Sequence, residues 1–283
     1  MELLKVEKIN KTYENFKLRD ASFSLKKGYI MGFIGANGAG KTTTLKSILN
    51  MIRIESGNVQ IFGKDIKSDE MNIKREIGYM FGGVEFYPKT KVSILTEVIK
   101  RFYPNWNEKT YKQYMKKFKI IGDKKICELS NGMKVKYNLA IALSHNAKLF
   151  IFDEPTSGLD PVARDEILEI FQELLEDGEK SILFSTHIIS DLEKCADYIT
   201  YIDNGKIIAS SEKDEFKNSF KMIRGSKNQL DEFKDNFVSY KENSFGFTAL
   251  MRTENLETVR DVEVANPSLE EIMIYYAKRG DLK

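Results

Sequence analysis

Apolar residues along this chain change from the two-residue period of strands to the 3.6-residue period of helices. Alternation over Lys5–Ile9 and Ala21–Leu25 predicts two half-buried strands near the start. The apolar run Tyr29–Ile34 predicts a buried strand, and a glycine-rich stretch follows it. The helix after that stretch is indicated by apolar residues at helical spacing, namely Leu45, Ile48, Leu49 and Ile52. The glycine-rich stretch therefore joins a strand to a helix.

The same alternation of elements continues further along the chain. Leu149–Phe152 and Ser181–Ser185 are short apolar runs that predict buried strands. Asp160 followed by proline predicts a helix start, and Ser190–Glu193 is the pattern of a capping box opening another helix. Asn204-Gly205 between two strand-like runs predicts a hairpin. Strands that alternate with helices indicate an α/β fold with a mostly parallel sheet covered on both faces.

Two shifts in composition suggest the domain organisation. Residues 86–146 are rich in lysine and aromatic residues and are predicted to form a mainly helical subdomain. The last part is polar, has short strands such as Phe245–Met251, and closes on a helix whose start is marked by Asn266-Pro267-Ser268. We therefore predict a main domain over residues 1–212 and a small α+β appendage over residues 213–283.

Composition narrows the possible functions. The chain has 283 residues, 42% hydrophobic and 30% charged, with a net charge of +2, which is the balance of a globular protein without a global attraction to nucleic acid or anionic lipid. Its two cysteines, Cys127 and Cys195, match no metal-ligand spacing, so reduced thiols are expected. No apolar run approaches the roughly 18 residues of a membrane span. A role at a membrane therefore has to come through a partner, without direct membrane insertion.

The glycine-rich stretch Gly35–Thr42 follows the pattern Gly-x-x-x-x-Gly-Lys-Thr of a phosphate-binding P-loop. Glycines let the backbone curl so that several N–H groups point at phosphate oxygens, and the helix N-terminus adds positive potential. Lys41 is expected to reach the β- and γ-phosphates, and the hydroxyl of Thr42 is expected to bind Mg²⁺. The alternative is an ordinary glycine-rich turn, but its place between a strand and a helix favours the P-loop.

Carboxylates and a histidine follow the later predicted strands. Asp153 at a strand end is expected to hold Mg²⁺, and Glu154 beside it to orient or deprotonate an attacking water. Two solvated acids in a loop are the alternative. His187 follows Ser185-Thr186 at another strand end and is positioned to bond a γ-phosphate, whereas His145 has no supporting pattern and is interpreted as structural. Tyr13 is a candidate for stacking on a purine, with simple packing as the alternative.

A further motif makes the chain resemble the nucleotide-binding subunit of an ABC transporter. Leu129–Lys134 reads LSNGMK, similar to the family's LSGGQ signature, and lies between the P-loop and Asp153 as in that family. Ser157–Asp160 resembles the D-loop, His187 falls at the switch histidine, and Tyr13 falls at the base-stacking aromatic. The resemblance implies a P-loop NTPase cassette, with a mixed sheet core and antiparallel β and helical subdomains. It implies ATP contacts at Tyr13, Gly35, Asn37, Gly38, Ala39, Gly40, Lys41, Thr42, Thr43, Ser130, Gly132 and Asp160.

In that family two cassettes pair head to tail, each ATP lying between the P-loop of one and the signature of the other. By resemblance, Ser130 and Gly132 therefore contact the ATP of a partner cassette.

Three positions depart from the family pattern, one of which is Met133 in the place of the signature glutamine. Asn131 stands in the place of a signature glycine. Because asparagine tolerates left-handed backbone conformations, this replacement need not disrupt the loop. Gly82 stands near the place of the Q-loop glutamine, and Glu85 is the nearby polar residue that can partly replace it. In the family this glutamine senses Mg²⁺ and the membrane domain, so the departure affects the coupling of ATP hydrolysis to that domain.

The resemblance is to bacterial ABC-2-type exporters, nearest to the YtrB-like ATP-binding subunits. It implies an ATPase that uses ATP and Mg²⁺ at a homodimeric or heterodimeric interface, docked on a separate permease at the cytoplasmic face of the membrane. Two alternatives stay open. One is a soluble ABC ATPase in translation or DNA maintenance, although such chains usually carry two cassettes or a coiled coil. The other is a regulatory nucleotide-binding module with little turnover, which the altered Q-loop suggests.

Overall fold

The computed structural model describes residues 2–81 and 87–278, and the predicted Q-loop positions Gly82 and Glu85 lie outside these ranges. By internal contacts the chain separates into two compact units, Met1–Ile208 and Ala209–Lys283. Within the described ranges the strands form three sheets, two of which belong mainly to the first unit.

The strands and helices of the first unit alternate along the chain. The strands are β1 Glu2–Tyr13, β2 Phe16–Lys26, β3 Ile30–Ile34, β4 Ser56–Ile61, β5 Lys64–Asp65, β6 Ile77–Phe81, β7 Leu149–Asp153, β8 Ser181–Thr186, β9 Tyr198–Asp203 and β10 Lys206–Glu212, which runs across the division between the units. The helices are α1 Lys41–Ile48, α2 Glu70–Arg75, α3 Val92–Ile99, α4 Glu108–Lys117, α5 Asn131–Leu143, α6 Pro161–Glu173 and α7 Ile189–Cys195.

The central sheet has the strand order β10-β9-β3-β8-β7-β6. Strands β9, β3, β8, β7 and β6 pair in parallel. Both faces of this sheet are covered, which explains why β3 and β8 are buried along their whole length and read as continuous apolar runs. The carboxyl ends of β3, β8 and β7 lie side by side, so the residues after them meet at one edge of the sheet.

A second sheet, in the order β2-β1-β4-β5, is antiparallel. Its inward side chains, including Leu4, Leu18 and Leu25, join one core with Phe33 of β3 and Leu45 of α1. The predicted combination of an antiparallel sheet with a mainly parallel one is confirmed.

The region predicted to be mainly helical contains α3, α4 and α5. Asn107 caps α4 by accepting a hydrogen bond from the N–H of Thr110, and Ser130 caps α5 by accepting one from Met133 at 3.2 Å. The hydroxyl of Thr96 on α3 lies 2.8 Å from Tyr111 of α4 and 2.9 Å from Tyr137 of α5. These buried hydroxyl contacts join the three helices.

The predictions for two helix ends were wrong. Helix α7 begins at Ile189 and its N-cap, Ile188, makes no side-chain cap, so Ser190–Glu193 is not a capping box. The box does not form because the helix starts one residue before Ser190, which therefore cannot be the N-cap. Asp191, inside the same stretch, is buried and accepts a hydrogen bond from Thr156. Helix α1 ends at Ile48, and Ile52 of the predicted apolar face lies beyond it.

The second unit contains α8 Lys213–Asn218, β11 Phe220–Gly225, α9 Lys227–Phe233, β12 Phe237–Glu242, β13 Phe247–Arg252, β14 Glu263–Ala265 and α10 Leu269–Ala277. Its strands pair antiparallel in the order β12-β13-β11-β14. Ser268 and Glu271 form the capping box of α10. Ile223, Phe247 and Met251 belong to a separate core within this unit.

Across residues 2–81 and 87–278, no helix has the combination of length and apolar character that is needed to cross a membrane.

Candidate nucleotide site

The candidate site lies at the carboxyl edge of the central sheet. The glycine-rich loop follows β3, Glu154 follows β7, and His187 follows β8, which is the strand between them. In register, Asp153 at the end of β7 stands opposite Ser185 of β8, and Thr186 stands opposite Ile34 of β3. Residues that are more than 100 positions apart in sequence are thus brought together by the order of the strands.

Two glycines permit the path of the loop between β3 and α1. A Cβ on Gly35 would lie 2.4 Å from the backbone oxygen of Ile202 in β9, so the loop leaves the strand where no larger residue fits. Gly40 caps α1 with φ 113°, a conformation that residues with a Cβ adopt only with strain. The carbonyl of Ala39 accepts a hydrogen bond from Gly205 at 3.0 Å, which ties the loop to the β9–β10 turn.

Lys41 is the first residue of α1 and is almost fully buried. Its ammonium group donates a hydrogen bond to the carbonyl oxygen of Gly35 at 2.8 Å and lies 3.4 Å from the carboxylate of Glu154. A buried charge needs such partners because desolvation is costly. The hydrogen bond to the Gly35 carbonyl holds the Lys41 side chain against the loop, so the ammonium group is in position to contact phosphate oxygens.

Asp153 ends β7 and accepts two hydrogen bonds from side chains. Thr42 donates one to Oδ2 at 2.7 Å, and Ser185 donates the other to Oδ1 at 2.6 Å. Ser185 also accepts a hydrogen bond from the N–H of Glu154 at 3.0 Å. Ser185 therefore fixes both acidic residues. In the sequence pattern Ser185 belongs only to a strand, and the one signal for its role is its position two residues before His187.

Glu154 and His187 form a contacting pair. The Nδ1 atom of His187 lies 2.7 Å from Oε2 of Glu154, and the other carboxylate oxygen faces Lys41. Glu154 has φ 52°, in the left-handed region. The pair is partly open to solvent, so a water molecule has access to the carboxylate that is expected to act as base.

A cavity of about 400 Å³ opens beside the loop. Among the described residues it is lined by Tyr13, Phe16, Ala36, Asn37, Gly38, Gly40, Lys41, Thr42, Thr43 and Glu154. Tyr13 ends β1 and has 44% of its surface exposed, which leaves a ring available for stacking. Phe16, at the start of β2, also lines the cavity. Its only signal in the sequence is its place three residues after Tyr13.

The signature residues lie elsewhere. Within the described part of the chain, Ser130, Gly132 and Asp160 do not line the cavity. Ser130 and Gly132 stand at the exposed start of α5, and a Cβ on Gly132 would lie 3.2 Å from a side-chain atom of Leu159. Asp160 caps α6 by accepting hydrogen bonds from Val162 and Ala163, both at 3.0 Å. The hydrogen bond from Ala163 is the main cause that lowers the pKa of Asp160.

The remaining candidates have structural surroundings. His145 is buried and stacks on Tyr103 with ring centroids 3.9 Å apart. Burial lowers the pKa of His145 to about 4, so the ring is neutral at physiological pH. Cys127 and Cys195 do not form a disulfide with each other, and the thiol of Cys195 donates a hydrogen bond to the carbonyl oxygen of Asp191 at 3.2 Å.

The oxygens of Thr42 and Asp153 fit a Mg²⁺ ion. Mg²⁺ prefers oxygen ligands and usually takes one or two carboxylates from the protein, leaving its other positions to phosphate and water. The hydroxyl and the carboxylate already meet at 2.7 Å beside the cavity. In residues 2–81 and 87–278, no group of three or more histidine, cysteine or acidic side chains is arranged as a metal cage, so any such ion depends on the nucleotide for further ligands.

Comparison with known proteins gives consistent results. A family model described as "ABC transporter" matches residues 18–157. The chain is 30% identical over 223 residues to the "ABC transporter ATP-binding protein YtrB" of Bacillus subtilis (strain 168), covering 78% of this chain and 76% of that protein. It is 33% identical over 217 residues to the "Linearmycin resistance ATP-binding protein LnrL" of the same organism, covering 75% and 70% respectively.

The fold has solved counterparts as well. One, titled "Structure of ATP binding subunit of ABC transporter", superposes with a TM-score of 0.69 at 26% identity and covers 76% of this chain and 92% of that one.

Proposed function

This chain belongs to the ABC transporter family as an ATP-binding subunit with an ATPase domain, and we propose that it hydrolyses Mg-ATP in a head-to-tail dimer to drive a separate permease of the exporter type. The observation that carries the proposal is the meeting of Lys41, Thr42, Asp153, Glu154 and His187 at one edge of the central sheet.

The proposed roles follow from these contacts. The N–H groups of the loop from Gly35 to Thr43 hold the β- and γ-phosphates, and Lys41 exchanges its contact with Glu154 for the phosphate charge. Tyr13 stacks on the purine. Thr42 and Asp153 hold Mg²⁺, which neutralises phosphate charge when bound.

Hydrolysis needs a water oxygen to attack the γ-phosphorus while the bond to the ADP oxygen breaks. Glu154 accepts the proton that this water loses. His187 fixes one oxygen of the Glu154 carboxylate at 2.7 Å, so the other oxygen keeps its direction towards the loop. His187 then also contacts the γ-phosphate.

The second half of the site comes from another cassette. Ser130 and Gly132 start a 13-residue helix and stand outside the cavity of their own subunit, among the described residues. Exposed N–H groups at a helix start favour an anion, so these residues are placed to bind the γ-phosphate of a partner's ATP. We propose that Asp160 supports the same interface by fixing the start of α6.

The permease contact is proposed for a groove in the first unit. Its cavity of about 470 Å³ is lined by Met71, Lys74, Arg75, Tyr79, Ile99, Arg101, Phe102 and Tyr103. Met71 and Phe102 are 69% and 68% exposed and line the same groove, and grouped exposed apolar side chains favour an interaction site. Because cations accompany them, a permease segment with apolar and acidic residues on one face fits this groove.

The export direction is supported by relatives. LnrL is described as a linearmycin resistance protein, and removal of a toxic compound is the simplest way for a transporter to give resistance. None of the reported relatives favours a soluble ABC ATPase in translation or DNA maintenance. A regulatory module without turnover is disfavoured by the intact contact between Glu154 and His187. We place the subunit at the cytoplasmic face of the membrane, held there by its permease.

The test is a turnover assay with the purified chain, alone and with its permease. Wild-type protein should hydrolyse Mg-ATP. Glu154→Gln should retain ATP binding and accumulate as an ATP-bound dimer, with kcat lowered at least about 100-fold, because the amide cannot accept the proton. Normal turnover in this variant would remove Glu154 from the mechanism, and absence of ATP binding in the wild type would remove the proposed function.

A further inference from the structure

We infer that Asp191 is a positioning residue for hydrolysis: through Thr156 it fixes the loop that carries Glu154 against the helix that follows His187. The inference rests on the proposed function and deepens it. Asp191 lies on α7, four residues after His187, and Thr156 lies two residues after Glu154.

The first observation is the geometry of the contact. The hydroxyl of Thr156 donates a hydrogen bond to Oδ2 of Asp191 at 2.5 Å. Thr156 is 0% exposed and Asp191 is 1% exposed, so water does not compete for either group. A charge-assisted hydrogen bond shielded from water is stronger than a neutral, solvated one. This contact is therefore a rigid connection between the two segments.

The second observation concerns the other oxygen of the carboxylate. Oδ1 of Asp191 lies 3.9 Å from Nε of Arg164 on α6, and each atom is buried without a hydrogen-bond partner among the described residues. Burial raises the pKa of Asp191, so the charged form is costly here, and Arg164 is the cation that offsets part of this cost. Three elements thus meet at one carboxylate: the loop after β7, helix α6 and helix α7.

The third observation shows why the loop needs such support. Glu154 has φ 52°, a left-handed conformation that non-glycine residues adopt at a cost. The N–H of Glu154 donates a hydrogen bond to the hydroxyl of Ser185 at 3.0 Å, and the carbonyl of Glu154 accepts one from the N–H of Ser157 at 3.2 Å. Thr156 is the residue inside this turn whose side chain reaches another element. Loss of its hydroxyl leaves the distal side of the turn without that connection.

The consequence concerns the pair that does the chemistry. His187 and Glu154 meet at 2.7 Å, and their distance depends on how the loop after β7 stands against the segment after β8. Ser185 fixes this distance at the strand ends, and the Thr156–Asp191 contact fixes it again beyond the pair. Misplacement of a catalytic group by about 1 Å costs on the order of 100-fold in rate, so a contact of this kind affects kcat more than nucleotide binding.

The experiment uses the full-length chain with four substitutions. Thr156→Val keeps the shape and removes the hydroxyl; Thr156→Ser keeps the hydroxyl. Asp191→Asn keeps the size and an oxygen acceptor but removes the charge. Ser190→Ala is the matched control, because Ser190 is the exposed neighbour of Asp191 on the same helix. ATPase assays give kcat and KM, and NMR of labelled imidazoles follows the chain's two histidines, His145 and His187.

The expected result is a kcat at least about 10-fold lower in Thr156→Val, with a KM for ATP within about twofold of wild type. Thr156→Ser should restore turnover, and Asp191→Asn should lose about three- to tenfold because an amide is a weaker acceptor than a carboxylate. The imidazole resonances of His187 should shift in Thr156→Val, while those of buried His145 stay unchanged. Ser190→Ala should match the wild type in every measurement.

A wild-type kcat together with unshifted His187 resonances in Thr156→Val would overturn the inference. If that variant does not fold, Asp191→Asn decides in the same way, since it changes no volume. If the wild type itself fails to hydrolyse ATP, the proposed function fails, and the His187 resonances still test whether Thr156 and Asp191 set the geometry of the pair.

Discussion

Glu154 shows how one residue can be held in an unfavourable backbone conformation by its surroundings. Its φ of 52° costs a glutamate on the order of 1 kcal/mol. The hydrogen bond that its N–H donates to the hydroxyl of Ser185, and the contacts of its carboxylate with Lys41 and His187, offset this cost. As a result, the Glu154 carboxylate lies between the ammonium group of Lys41 and the imidazole of His187.

His145 leads to a prediction about stability and pH. Its pKa is about 4 in the folded chain against an ordinary value of 6.5, because burial disfavours the charged ring. Between these two pKa values, the His145 ring binds more protons in the unfolded chain than in the folded one. The contribution of His145 to the free energy of unfolding is therefore fully present above about pH 6.5 and is lost as the pH is lowered towards 4. The loss from this group reaches about 3 kcal/mol near pH 4.

The measurement is denaturant unfolding between pH 7 and pH 4 for the wild type and His145→Phe. The variant keeps an aromatic ring against Tyr103 but does not titrate. Its unfolding free energy should fall less steeply over this pH range. Equal slopes in the two proteins would show that His145 is not the group responsible.

At the scale of elements, the ends of the parallel strands and the start of helix α5 carry different groups of candidate site residues. The ends of β3, β7 and β8 bring together the residues for one nucleotide, because adjacent parallel strands end at the same edge. The start of α5 carries Ser130 and Gly132, which do not line that cavity among the described residues, and this supports the proposal that they act on the ATP of a partner cassette. In the proposed dimer, each subunit therefore supplies half of a site.

A pair of helix caps separates stability from function. Ser130 caps α5 through the N–H of Met133, and Ser268 caps α10 through the N–H of Glu271 at 3.1 Å. Replacing either serine with alanine should lower the local stability of its helix by about 1 kcal/mol, because one N–H at the helix start loses its acceptor. Hydrogen exchange of the amides in each helix measures this effect.

The two variants should differ in turnover. Ser130→Ala should also reduce ATPase activity at least about 10-fold, since the hydroxyl is proposed to contact a partner's phosphate, whereas Ser268→Ala should leave kcat unchanged. If the two caps prove equal in their effect on turnover, Ser130 acts only on helix stability.

At the scale of the whole molecule, the chain is built from two units with separate cores: the first contains two sheets and the second contains one, among the described residues. The nucleotide cavity and the proposed permease groove both belong to the first unit. Energy from ATP is therefore proposed to pass to the permease through this unit, and the second unit, residues 209–283, needs no part in the chemistry. We propose that it has a supporting role.

The groove can be tested with matched substitutions of exposed aromatic residues. Phe102→Asp places a negative charge in the groove, whereas Phe245→Asp makes the same change in the second unit at a residue that is 96% exposed. With the permease co-expressed, Phe102→Asp should reduce the membrane-bound fraction of the chain about 10-fold, because it removes apolar area and repels an acidic segment. Phe245→Asp should remain bound like the wild type. Full membrane binding of Phe102→Asp would exclude the groove as the docking surface.

The sequence by itself determined the local elements and the identity of the P-loop. Short apolar runs predicted β3, β7 and β8, and Gly35–Thr42 predicted the loop after β3. Asn204-Gly205 predicted a hairpin turn, in which both residues have positive φ. These predictions succeed because backbone preferences and burial act over a few neighbouring residues. The family order of motifs then indicated ABC ATPase function, which the comparisons confirm.

Only the tertiary structure decided which distant side chains meet. Ser185 between the two acids, Phe16 beside Tyr13, and Asp191 under Thr156 depend on strand order and helix packing, which no local pattern encodes. Judged only from neighbouring residues, Ser190–Glu193 has the pattern of a capping box, but the helix begins at Ile189. In the fold, Asp191 is turned inward to a threonine 35 positions earlier, because burial against the loop after β7 offers it a partner shielded from water.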